Sequence, residues 1–279
     1  MKVEITTLIE NYIDKDEQLM NEHGLSLYIE VDGKKILFDT GQSGDFIQNA
    51  EKLKKDLTSL DYIIISHGHY DHSGGLLKLI DTIETVPKLL VGNEFFNPKY
   101  KQSSNNEYKY IGNAFSEEEL LKKEVPMRRI AEDITSISDK ILVFHNFDRD
   151  TAFEELNSKF YIKQGDSYLQ DKFQDEIALG ILTEKGLIAV VGCSHVGIVN
   201  ILSTMTKRTN LPIYGVIGGT HLVDANEDRM NQTITSFKNM GLDFIAVSHC
   251  TGEEGIKLMK ESFREKFIFN NTGNVIKIL

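Results

Sequence analysis

Ser66-His67-Gly68-His69-Tyr70-Asp71-His72-Ser73-Gly74-Gly75 is the stretch on which the reading of this chain turns. It follows a β-branched run, residues 60–65, that reads as a buried strand. Apolar residues at 76, 77, 79 and 80 follow it and predict a helix over residues 73–80. The motif thus falls on a loop at the carboxyl end of a strand, where α/β sheets place ligand sites. His67 and His69, two apart in an extended turn, can point the same way and pinch one metal. Asp71 and His72, at the helix start, can turn toward a second. Neutral imidazoles with a carboxylate suit zinc, iron or manganese. A lone histidine on an apolar face is usually a satisfied core residue, but three with an aspartate in one loop call for chemistry.

Outward from this loop, strand and helix patterns alternate, which argues for α/β layers. Residues 3–8, 25–31 and 35–38 have strand composition, and Asp32-Gly33 is a hairpin turn signal. In the second half, strands are predicted over 177–183, 187–191, 213–217, 244–247 and 267–270. Helices are predicted over 196–206, 227–240 and 254–260. Three more histidines stand at equivalent places in these units: His195 after strand 187–191, His221 after strand 213–217 and His249 at the end of strand 244–248. Each lies beside Gly, Ser or Cys, small neighbours that let a loop approach a metal or substrate. Their shared position at strand ends makes convergence on one site the simpler account. The two cysteines, Cys193 and Cys250, each sit near a histidine, in Cys193-Ser194-His195 and His249-Cys250. That placement favours metal or catalytic chemistry over a disulfide framework.

Between the two halves, residues 93–174 break the pattern. Phe95, Phe96, Tyr100, Tyr108, Tyr110, Phe115, Phe160 and Tyr161 are scattered there among polar residues. An irregular aromatic insertion in a regular scaffold is where a substrate lid would lie, or else a small cluster of core aromatics. The expectation is one domain over 1–279 with this segment as a lid.

Composition bounds the partners. The 279 residues, 41% hydrophobic with 21 glycines, exclude a disordered or fibrous protein. No run approaches the roughly 18 apolar residues of a membrane span, so no membrane partner is expected. Lys plus Arg total 31 against 42 Asp plus Glu, a net charge of −11. The basic spots Lys34-Lys35, Lys54-Lys55 and Arg128-Arg129 are isolated pairs, not the stripe that a nucleic-acid binder needs. A small-molecule substrate is expected, and a local pocket for one phosphate stays open. The start of the chain shows no apolar signal-peptide core, which points to the cytoplasm. The oligomeric state is not legible.

His67-x-His69-x-Asp71-His72, with Phe38-Asp39-Thr40-Gly41 upstream, resembles the metallo-β-lactamase superfamily. Gly192-Cys193-Ser194-His195, Gly218-Gly219-Thr220-His221-Leu222 and Ser248-His249-Cys250-Thr251-Gly252 resemble a narrower group of metal-dependent hydrolases within it. That group includes a synthase of methanopterin biosynthesis. The resemblance implies a four-layer αβ/βα sandwich of two mixed β-sheets with a dinuclear metal site. It implies His67 and His69 on the first metal, and Asp71, His72 and a late histidine, assigned to His249, on the second. Two divalent ions are expected, zinc first, with manganese or iron as alternatives. The chain departs from the family pattern twice. Asp175-Glu176 stands where a third first-metal histidine is usual, and Gly192-Cys193 stands where Gly-Asp usually bridges the metals. Either Cys193 is itself a ligand, or it is a small residue that lets His195 supply the missing nitrogen.

The expected chemistry follows. A metal pair lowers the pKa of a bridging water toward about 7 and polarises the bond attacked. Asp71 can orient the resulting hydroxide. His221 can protonate a leaving group or hold a phosphate oxygen, or else only pair with a backbone carbonyl. Asp39 reads as a brace for a ligand histidine. The leading reading is a hydrolase of a small organic phosphoester or related ester. The alternatives are a synthase or lyase-like role on a phosphoribosyl or pterin substrate, a di-iron oxidoreductase on the same scaffold, and a non-catalytic sensor. Hydrolysis of β-lactams is disfavoured by the lack of an export signal.

Overall fold

The computed structural model describes residues 2–12 and 18–278. Met1 and Leu279, the ends of the expected domain, lie outside them. The chain forms two compact units. The first is Met1–Ile130, Asn157–Asp175 and Asn271–Leu279; the second is Ala131–Leu156 and Glu176–Asn270.

A seven-stranded mixed sheet is the centre of the first unit. Its spatial order is Val275–Ile278, Val3–Ile9, Ser26–Val31, Lys34–Phe38, Tyr62–Ile65, Lys88–Gly92, Met127–Ile130. The first four pair antiparallel, as hairpin-linked strands do; from Lys34–Phe38 onward the pairing is parallel. Ile63, Ile64 and Ile65 are fully buried, which explains a continuous apolar run in place of alternation. Ile63 and Ile65 join a core with Leu8, Leu37, Phe46, Leu76, Leu79 and Leu89. Each such side chain contributes about 1.5–3 kcal/mol on burial.

The helix expected over 73–80 is two pieces, Tyr70–Ser73 and Leu76–Ile80. The Gly74-Gly75 pair separates them for a packing reason. A Cβ on Gly74 would collide with the Gln42 carbonyl, and one on Gly75 with the Thr40 carbonyl. The two glycines let the loop after Lys34–Phe38 press against the start of the helix, which holds Asp71 and His72 at the strand end.

The second unit is built on another seven-stranded mixed sheet. Its order is Phe267–Phe269, Phe244–Ser248, Ile213–Gly219, Gly186–Val191, Ala178–Thr183, Ile141–Phe144, Ile134–Ser138. The first four are parallel neighbours and the rest antiparallel. Helices Ile198–Thr209, Glu227–Met240 and Gly252–Phe263 connect the parallel strands. The middle helix has the expected bounds because its ends are written in sequence. The Asn226 side chain caps it by accepting from the Arg229 amide, and Gly241 closes it at φ 71°.

Residues 93–174 are more regular than their composition predicts. Met127–Ile130 joins the first sheet, and Ile134–Ser138 and Ile141–Phe144 join the second. Strands Lys99–Gln102, Tyr108–Tyr110, Phe160–Gln164 and Ser167–Gln170 form an antiparallel sheet of their own in the first unit. The tyrosines hid this pattern. Tyr100, Tyr108, Tyr110, Tyr161 and Tyr168 pack ring on ring across that sheet, so its outer side is aromatic where sequence patterning expects polar residues. Phe95 and Phe115 instead enter the core of the first unit, with Phe96 packed against it. No helix among the described residues is long and apolar enough to cross a membrane.

Candidate metal centre

In the first unit the loop after Tyr62–Ile65 brings His67, His69, Asp71 and His72 together, all buried. His67 Nε2 lies 3.1 Å from His69 Nδ1, and His72 Nε2 lies 3.7 Å from Asp71 Oδ2. Asp39, at φ 61° on the neighbouring strand end, organises them. Its Oδ1 accepts from the Ser66 amide at 2.7 Å, and its Oδ2 from the Ser66 hydroxyl at 2.8 Å and from His72 Nδ1 at 2.6 Å. Ser66 Oγ also lies 2.9 Å from His67 Nδ1. Its one hydroxyl proton goes to Asp39, so His67 Nδ1 must carry the hydrogen of that contact. Both imidazoles are thereby fixed as Nδ1–H tautomers, with Nε2 as the basic nitrogen. A carboxylate behind a ligand histidine does this in metal sites generally.

Electrostatics agree. Burial holds His67 well below the usual imidazole range, with the neighbouring His72 and His69 adding to it. A neutral ring is the form that binds metal. Burial pushes the Asp39 carboxyl up, opposed by its bonds to His72 and Ser66.

Four further residues meet this loop through contacts that the sequence did not reveal. His23 Nε2 lies 3.2 Å from Asp71 Oδ2; nothing in its surroundings in the sequence marks it. Phe160 stacks on His69 at 5.5 Å between centroids, and Phe173 meets the same ring edge-on at 5.8 Å. Asp175, buried, accepts from the Gly68 amide at 2.7 Å and from Lys99 Nζ at 2.8 Å. Lys99 is buried too, and also bonds Asp171 at 2.7 Å. Burial alone would lower its ammonium, but the two carboxylates outweigh that and leave it raised.

In the second unit, Cys193, His195, His221 and His249 lie at the ends of three adjacent parallel strands, as their spacing predicts. Ser194, His221 and His249 have φ of 62°, 48° and 55°, conformations that cost about 1–3 kcal/mol and cluster at functional sites. The three loops are tied to one another. Ser194 Oγ donates to the Gly219 carbonyl at 2.8 Å, the His221 amide to Cys250 Sγ at 3.3 Å, and Cys250 Sγ to the Cys193 carbonyl at 3.3 Å. The His195 and His221 rings lie 4.3 Å apart, and Cys193 Sγ is within 4.8 Å of a His249 ring nitrogen. Both cysteines are buried thiols, with no disulfide. Glu176 accepts from the amides of His195 and Val196, each at 2.8 Å.

Both donor sets fit divalent metal chemistry: imidazole nitrogens, a carboxylate and a thiolate, held on rigid strand ends, with outer partners that fix the tautomer in the first unit.

The comparisons with known proteins converge. The model of the metallo-beta-lactamase superfamily matches residues 21–154. A 7,8-dihydropterin-6-methyl-4-(beta-D-ribofuranosyl)-aminobenzene-5'-phosphate synthase of Methanocaldococcus jannaschii is 32% identical, across 99% of this chain and 96% of that protein. An uncharacterized protein of the same organism is 31% identical, across 98% of this chain and all of its own length, 100%. The crystal structure of a metal-dependent hydrolase of the beta-lactamase superfamily superposes with a TM-score of 0.86 at 28% identity, covering 99% of both chains. With mixed sheets, strand-end histidines and a relative of this identity along its whole length, the chain belongs to the metallo-beta-lactamase superfamily of enzymes.

Proposed function

We propose that this protein is a dinuclear metal-dependent hydrolase of a small organic phosphoester or related ester. The observation that carries the reading is the hydrogen-bond chain His67–Ser66–Asp39–His72, which turns two basic Nε2 atoms out of one strand-end loop. Following the superfamily pattern, His67 and His69 are assigned to one ion and Asp71 and His72 to the other; in the second unit the assigned donors are His195 and His249, with Cys193 supplying a thiolate beside His249. Zinc suits that mixture of nitrogen, oxygen and sulfur best; manganese tolerates the thiolate least. Two such ions, when bound, supply Lewis acidity and a water that deprotonates near neutral pH.

The protein's own residues do the rest. Asp71, beside His72, accepts a hydrogen bond from the attacking water and orients it. His221, at the end of its strand next to His195, holds a phosphate oxygen or protonates the leaving group. Phe160 and Phe173, both from the 93–174 segment, confine His69, which supports that segment as the cover that sets substrate size.

A second reading is favoured by the full-length likeness to the dihydropterin ribofuranosylaminobenzene phosphate synthase: group transfer onto a phosphoribosyl or pterin substrate. One panel separates the two. Zinc-loaded protein is offered an aryl phosphodiester, a lactone, and a dihydropterin bearing a 6-methyl diphosphate leaving group together with a ribofuranosylaminobenzene phosphate, the diphosphate leaving as the new bond to the aminobenzene forms. Phosphodiester turnover that stops on chelation is the expected result. Turnover of the pterin pair alone would replace the hydrolase with the synthase.

A further inference from the structure

We infer that the consecutive carboxylates Asp175 and Glu176 are positioning residues, each orienting one ligand-bearing loop through its main chain rather than donating to a metal. This rests on the proposal that those loops hold metal. The two residues stand where the superfamily usually has a histidine ligand, so their role is not settled by likeness.

Asp175 grips the first loop at its most sensitive peptide. Gly68 separates His67 from His69, and the direction of its N–H fixes how the two flanking side chains diverge. That N–H donates to Asp175 Oδ2, while Oδ1 is held by Lys99 Nζ. The carboxylate is itself fixed in place. The chain at Asp175 lies so close to Gly92 that any Cβ there would strike the Asp175 carbonyl. Lys99 in turn holds Asp171, whose other oxygen accepts from the Phe173 amide at 2.7 Å, and Phe173 closes on the edge of His69. His69 is therefore set from the main-chain side by Asp175 and from the ring side by Phe173. A buried ammonium between two carboxylates also offsets the charge that an unpaired Asp175 would carry into the interior.

Glu176 does the same work in the second unit. Its two oxygens take the amides of His195 and Val196, one each. Ser194, immediately before them, is in the left-handed region, a conformation that needs such support. In both units the carboxylate is bound to the peptide next to the ligand side chain, so it governs where that side chain points. Outer partners of this kind are worth about 10–100-fold in metal affinity.

The test is zinc affinity of the full-length protein, read by competition with a chromophoric chelator, together with zinc equivalents bound at saturation. Asp175→Ala and Glu176→Ala are expected to weaken zinc binding about 10–100-fold while still binding two equivalents. Asp175→Asn keeps a carbonyl oxygen for the Gly68 amide but loses the acceptor of Lys99, and should recover part of that loss. Glu176→Gln keeps one acceptor of two and should recover part. If an alanine variant does not fold, the Asn and Gln variants decide: weakened affinity with two equivalents retained supports positioning. Unchanged affinity, or the loss of one whole equivalent in both members of a pair, overturns it, the latter by making the residue a ligand. His67→Ala is the reference. Wild-type protein that binds no zinc, or whose binding His67→Ala leaves intact, would sink the metal assignment and this inference with it. A wild type that behaves as assigned beside insensitive variants at 175 and 176 would sink the inference alone.

Discussion

The two candidate ligand regions are organised by different means. In the first unit the candidate donors are contiguous, four of them from His67 to His72, and their directions are set by side chains: Asp39 and Ser66 fix the tautomers of His72 and His67. In the second unit Cys193, His195, His221 and His249 come from three strand ends, and the loops that carry them are held through their main chain, by bonds to the side chains of Ser194, Cys250 and Glu176. Neighbours on one short loop must be made to diverge, so the contiguous set needs side-chain partners. Residues on separate parallel strands already share a direction, and need only their loops held in step.

If both regions serve one function, the largest effects should be equal across them. His67→Ala and His249→Ala should each cut turnover by more than the roughly 100-fold that losing an outer partner costs. Metal analysis of both variants checks this, and full metal content in His249→Ala would break the equivalence. Asp39→Ala should weaken metal binding about 10–100-fold, because His72 and Ser66 lose their shared acceptor. Its counterpart, Ser194→Ala, removes one loop-to-loop bond and should cost about 1 kcal/mol of stability in denaturant titration, with metal affinity nearly unchanged. A large affinity loss in Ser194→Ala would show that this one loop-to-loop bond governs metal affinity as directly as Asp39 does. Cys193, if its thiolate is a ligand, should react with a thiol reagent faster in metal-free than in metal-loaded protein. Equal rates would leave His195 as the ligand from that loop. The floor of the scale is a residue remote from both loops. Asp56 accepts from the Thr58 amide and from the Thr58 and Ser59 hydroxyls, which hold its carboxyl well below the usual range. A carboxyl depressed in the folded state stabilises above its unfolded pKa of about 3.9 and loses that effect as pH falls through its folded value. The small difference in Tm between wild type and Asp56→Ala should therefore persist at pH 7 and shrink below about pH 4. A difference that grows on acidification would reverse that sign.

Contiguity also decided what was legible. The first loop announces itself, because three histidines and an aspartate in one turn have no common structural explanation. The dispersed set was found by its place at strand ends, which the β-branched runs before each histidine made visible. What stayed hidden acts through main chain or across long separations. Asp175 touches Gly68 from 107 residues away, and nothing in either residue's neighbours encodes the meeting. His23 is equally silent. In the fold, the strands at Lys88–Gly92 and Val275–Ile278 were not expected, since their apolar runs are short and flanked by charge. The small tyrosine sheet was masked by composition, because aromatic side chains on its solvent side erase the alternation of period two.

The central claim is that two divalent ions bind and that His67 and His249 are both metal ligands. The direct measurement is metal stoichiometry of protein purified without added metal, stripped with a chelator and then titrated with zinc, for wild type, His67→Ala and His249→Ala side by side. Two equivalents in the wild type, with a loss of bound zinc in each variant, is the predicted result. A wild type that takes up no zinc, or that retains two irons with a visible absorption band and hydrolyses nothing, would contradict the account.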